Sequence, residues 1–302
     1  MPRSRPLHSA HNSQATEDAV QYRDSANLDS SQVTSSSGGG AGGKMAVGGI
    51  GGLIIVVLAM VFGFDPGSLV GGTASGPQQT TDQYAECKTG ADIEGNRDCR
   101  FVAYTNSIQN YWSKAMQGYQ KTTTHIFTGQ VSTGCGTATS AVGPFYCPND
   151  RIVYLDTGFF DQLTGQLGAQ GGDAAEAYVI AHEYGHHISN LTGVLGKVQS
   201  AGNQTGANSP QVKLELQADC YAGVWLANAS KDPNSPIAAI TKDDVFKAAD
   251  AARAVGDDRI QQQATGRVDR ESWTHGSSAQ RQNWLARGFN SGDPNQCDTF
   301  AG

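Results

Sequence analysis

Residues 45–64 carry no charged side chain, and this run divides the chain in two. Twenty such residues, centred on Leu53, Ile54, Ile55, Val56, Val57 and Leu58, make a helix about 30 Å long, the thickness of a bilayer core. The run is too long and starts too far along the chain for a signal-peptide core, and no small-residue cleavage site follows closely. It reads as a single transmembrane helix. Lys44 on the N-terminal flank, with Arg23, Arg5 and Arg3 further back, favours an N-terminus in the cytoplasm and the rest outside it, at the cell membrane; Asp65 stands on the other flank. Gly48 and Gly52 offer a close-packing face for a weak homodimer through this helix.

The flanks differ in composition. Residues 1–44 are rich in Ser, Gly, Asn and Gln and nearly lack large apolar residues, so they read as a disordered cytoplasmic tail. Residues 65–81, rich in Gly, Ser, Pro and Gln, read as a flexible linker, and residues 82–302 as the folded domain. The chain carries a net charge of −7 with no basic block, which argues against nucleic acid as a partner. All six cysteines lie beyond the apolar run, as suits an oxidising compartment, and none forms the CxxC pair of a thiolate zinc knuckle. Cys87/Cys99 and Cys135/Cys147 each flank a short polar, Gly-containing loop that a disulfide would close, leaving Cys220 for Cys297.

Within the domain, Ile108, Trp112, Ala115, Met116 and Tyr119 recur at helical spacing and predict a helix over 105–120. Residues 151–155 read as a strand, and Ile152 to Leu155 as either a buried strand or an edge strand able to take an extended substrate. A helix over 174–189 with Asp173 as N-cap is followed by a long polar loop, 190–209, and a third helix opening at Pro210. A capping box at Thr241 opens another helix through Val255, and a last one, 278–287, ends at Gly288.

The chemistry is concentrated in His182-Glu183-Tyr184-Gly185-His186. Residues four apart share a helix face, so the two imidazoles converge on one point and suit zinc. Glu183 lies about 100° around the helix, too far to be a ligand and near enough to serve as base for an attacking water. The preceding Ala177-Tyr178-Val179-Ile180-Ala181 is apolar, and polar residues buried in such a helix need a purpose. A catalytic zinc takes a third protein ligand. Thr192 stands where a third histidine would mark one large peptidase group, so a carboxylate from a later helix is needed. Glu215 and Asp219, four apart among Leu214, Leu216, Ala218, Tyr221, Ala222 and Trp225, supply it: Glu215 as ligand, Asp219 as acceptor for a ligand histidine. Gly185 fits a close approach of the two helices.

His182 to His187, followed by residues 215–225, resembles the bacterial putative neutral zinc metallopeptidases; residues 143–148, 153–156 and 273–278 are also similar to that family. The resemblance covers roughly residues 82–302, with the apolar run at 45–64 as a looser match, and leaves the N-terminal tail outside. It implies a single-span, zincin-type protein of the group that uses glutamate as third ligand. The fold expected is α+β: a helix-rich zincin-like, gluzincin-type domain with a small, mainly antiparallel sheet. The function expected is a zinc-dependent endopeptidase acting on peptide or protein substrates outside the cytoplasm. Glu183 is the base, and His275 is the candidate donor to the oxyanion. His125 and His187, off the shared face, are expected to be structural. A catalytically silent zinc-stabilised binding protein and a zinc amidase acting on cell-wall peptides are the competing readings.

Overall fold

Helical periodicity dominates from residue 97 onward, and the computed structural model, which describes residues 20–37, 82–202 and 204–301, is a mixed α and β domain rich in helix. Helix α1 (Arg97–Ala115) starts well before the predicted 105 because Asn96 caps it, accepting from the N–H groups of Asp98 and Cys99. Helix α2 spans Gly158–Gly165, and α3 (Asp173–Leu191) carries the histidine motif, with Gly172 rather than Asp173 as its N-cap. Helix α4 (Val194–Ser200) occupies part of the stretch predicted as loop. Helix α5 (Pro210–Asn228) opens at Pro210 behind the N-cap Ser209, and α6 (Lys242–Ala254) opens on the Thr241/Asp244 capping box. Helices α7 (Asp257–Thr265) and α8 (Ser278–Ser291) follow among the described residues.

Gly288 does not end the last helix. A Cβ there would sit 2.0 Å from the Cys220 carbonyl oxygen, and one on Gly223 would sit 2.1 Å from that of Leu285. The two glycines let α5 and α8 pack backbone to backbone, and α8 runs on to Gly292. Gly185 does the same between α3 and α5: its Cβ would lie 2.7 Å from the Cα of Ala218. The three helices are thereby drawn into one close cluster.

Strands are few and short: β1 (Gln21–Tyr22), β2 (Val33–Ser37), β3 (Thr124–Thr128), β4 (Gln130–Thr133), β5 (Gly136–Thr139), β6 (Phe145–Cys147), β7 (Ile152–Asp156) and β8 (Ile237–Ala239). The principal sheet has the order β2-β3-β7-β6, with β2, β3 and β7 parallel and only β6 antiparallel. It is therefore mixed, not mainly antiparallel. The chain between β3 and β7 makes the β4–β5 hairpin and β6 before returning in the original direction, which a parallel neighbour requires. Strand β7 is paired on both sides, so residues 152–155 are not an edge; β6 is.

A second departure concerns the N-terminal tail. Residues 20–37 are ordered: β1 pairs with β8, β2 pairs with β3, and Val20, Leu28 and Val33 are buried in the main core. Sparse apolar composition signals that a segment cannot form a core alone. It does not register the ready-made apolar surface and free sheet edge that the domain provides. The predicted span at 45–64, its Gly48/Gly52 pair and the linker 65–81 lie outside the described residues. Among the described residues no helix is long and apolar enough to cross a membrane. The three cysteine pairs form as expected, Cys87–Cys99, Cys135–Cys147 and Cys220–Cys297.

Candidate metal centre

Helix α3 presents His182 and His186 one turn apart, and α5 brings Glu215 against them; all three are buried. The His182 and His186 Nε2 atoms lie 3.2 Å apart. Glu215 Oε2 is 3.2 Å from His182 Nε2, and its Oε1 is 3.5 Å from His186 Nε2. Ligand atoms around a tetrahedral zinc, at bond lengths of about 2.0–2.1 Å, sit about 3.3 Å from one another. The triangle therefore has the dimensions of three corners of such a site. Its donor set, two imidazoles and one carboxylate, is also the kind that leaves a fourth position for water or substrate.

Asp219 lies behind His182. Its Oδ1 accepts from His182 Nδ1 at 2.8 Å, which fixes the proton on Nδ1 and turns a bare Nε2 lone pair toward the centre. Asp219 is itself held by the Tyr178 hydroxyl at 2.6 Å and by Arg281, whose Nε and Nη2 donate at 2.8 and 3.0 Å. Burial alone would raise the Asp219 pKa, but Arg281 and then His182 bring it down to about 2. Burial would likewise raise Glu215, and the surrounding histidines, His186 first, hold it well below the usual carboxylate range. For His182 burial works against a charge, yet Asp219 and Glu215 lift it to about 9. Two buried carboxylates thus make the centre a place that favours a cation.

Glu183 is 7% exposed and lines the same cleft, and burial raises its pKa above the usual glutamate value. His275 also lines the cleft. Its Nδ1 meets Thr274 Oγ1 at 2.9 Å and Asp257 Oδ1 at 3.4 Å, while Asp257 Oδ2 accepts from the backbone N–H groups of Thr274, His275 and Gly276. That one carboxylate fixes the loop through Oδ2, and its Oδ1 stands within ion-pair reach of the ring. Burial opposes a charge on His275, but the Asp257 hydrogen bond and the Glu215 and Asp257 charges raise its pKa. Val142, Pro144, Phe159, Val179, Val255 and Ile260 line the same cleft with apolar side chains, beside Tyr178 and Arg281.

His182, Glu183, His186, Glu215 and His275 thus line one cleft, with Asp219 buried behind His182, and His125 and His187 lie elsewhere. Arg281, Tyr178 and Asp257 are the participants that the sequence did not reveal. Arg281 did leave one signal: with Leu285 and Gly288 it follows the spacing of a single buried helix face, where a lone arginine needs a buried partner.

Two histidines one turn apart, a glutamate beside them and a carboxylate from the next long helix make this a His-His-Glu group able to hold a metal ion. The chain belongs to the putative neutral zinc metallopeptidase family, whose profile matches residues 18–300. That match begins at 18, so the N-terminal segment lies inside the family region, not outside it. An uncharacterised protein of Mycobacterium tuberculosis is 49% identical over 254 residues, covering 80% of this chain and 85% of its own length. The uncharacterised protein YpfJ of Escherichia coli is 40% identical over 266 residues, covering 83% and 87%. No solved structure matches the chain significantly.

Proposed function

We propose that this protein is a zinc-dependent endopeptidase, anchored at a membrane with its catalytic domain outside the cytoplasm. The observation that carries the reading is the triangle of His182 Nε2, His186 Nε2 and Glu215 with tetrahedral-site dimensions, with Glu183 at its side. His182, His186 and Glu215 would hold the ion. When bound, zinc acts as a Lewis acid that acidifies a water and polarises a carbonyl. Glu183 takes the proton of the attacking water and delivers it to the departing amine. His275 donates to the oxygen that gains charge, and Asp257 keeps its ring in place. The apolar wall favours a substrate with an apolar side chain beside the scissile bond. Placement outside the cytoplasm rests on the three disulfides, and the anchor on the uncharged run at 45–64.

The test is Glu183→Gln in the full chain, assayed against a peptide library and cell-wall fragments with and without chelator. Peptide cleavage should fall by about 10²- to 10⁴-fold while zinc content and thermal stability hold. Unchanged turnover would refute the mechanism. Chelator-sensitive release from cell-wall fragments alone would move the substrate to non-peptide amides.

A further inference from the structure

Residues 20–37 are fastened to the domain along their whole length. Arg23 donates to the carbonyl oxygens of Ser230, Ser235 and Ile237. The Tyr22 hydroxyl meets that of Tyr104 at 2.6 Å. Asp29 and Asn106 exchange two hydrogen bonds, and Gln32 accepts from Gln109. Strand β2 then runs beside β3 for five residue pairs, and the buried ring of His125 is gripped at both nitrogens by Thr34 and Ser36, each at 2.8 Å. Where the chain is next described, it has come back to the same strand. Gln83 accepts from Ser35 at 2.7 Å, and Tyr84 beside it is fully buried.

The excursion through residues 38–81 therefore leaves and re-enters the domain at one place. A single passage through the bilayer would separate its two ends by about 30 Å. The polar stretch after residue 64 has no means of recrossing the hydrocarbon, because each unsatisfied backbone group there costs several kcal/mol. We infer that residues 20–37 are an integral part of the folded domain and share its side of the membrane, so that the apolar run anchors the protein without carrying the N-terminus across. This replaces the cytoplasmic N-terminus that the flanking charges suggest; that signal is little more than Lys44, against a whole buried interface.

The experiment uses the full chain in its own membrane, with one epitope before Met1 and another after Gly302, probed by an impermeant protease in spheroplasts and in inverted vesicles. Both epitopes should be cut from the same face. An N-terminal epitope cut only from the face opposite the other overturns the inference. Hydrogen exchange on the detergent-purified full chain reads the docking itself. The amides among Val33 to Ser37 that donate to β3 should exchange more than about 100-fold slower than in a free chain. Free-chain exchange there overturns the inference even if the epitopes share a face. Neither readout depends on peptidase activity.

Discussion

Two kinds of buried histidine stand within this domain. His125 and His187 are satisfied: Thr34 and Ser36 engage both nitrogens of the first, Tyr146 and the Gln120 carbonyl both of the second. A neutral ring, one nitrogen donating and the other accepting, fits each site, and burial lowers the pKa of both. His182 and His186 are different. Their Nε2 atoms face each other and a carboxylate, an arrangement that no placement of protons on two neutral rings completes, and His186 Nδ1 is buried without a hydrogen-bond partner. The comparison teaches how burial alone fails to identify a ligand. What separates the pairs is whether protein groups satisfy the ring or leave a lone pair aimed at a charged gap.

The sharpest way to break the comparison is to remove the support behind the reactive pair. Arg281→Met leaves Asp219 buried without its cation, which should destabilise the domain by about 3–5 kcal/mol, read by chemical denaturation at saturating zinc. A loss below 1 kcal/mol would mean that Tyr178 and His182 suffice to hold Asp219. A smaller effect is expected from Asp219→Asn, which keeps the shape but weakens the polarisation of His182. Zinc affinity should fall roughly 10- to 100-fold in competition with a chelator. Unchanged affinity would reduce Asp219 to a packing residue.

The smallest effect belongs to the satisfied pair. Burial pushes His125 down to about 4 from 6.5, so between those values the unfolded chain binds more protons than the folded one. Stability from this site is complete above about 6.5 and is lost as pH falls toward about 4. His125→Gln, which keeps a donor and an acceptor for Thr34 and Ser36, should flatten the decline of Tm across that window. An unaltered pH profile would show that His125 does not titrate with unfolding.

Much of the site was legible because it is local. His182, Glu183 and His186 fall within two turns of one helix, and Glu215 and Asp219 within one turn of another, so helical periodicity alone aligned each set. The helix that carries Arg281 was legible too, but not its role, which exists only once Gly223 and Gly288 let α8 lie against α5. Gly288 misled for the same reason: a glycine near a helix end fits a cap or a close contact equally, and only the neighbouring helix decides. Residues 152–155 read as a strand, yet whether a strand is an edge depends on its neighbours. Here β3 and β6 cover it on both sides.

By itself, then, the sequence picked out the two helices that bring His182, His186 and Glu215 together, and a cysteine pairing that the structure bears out, both from short-range spacing and side-chain chemistry. The tertiary structure alone decided that Arg281 and Tyr178 lock Asp219, that Asp257 holds His275, and that residues 20–37 complete the sheet. Those depend on surfaces brought together across separations that run from 18 positions of chain to 103, and no local pattern encodes whether a polar segment will find a partner that completes its hydrogen bonds.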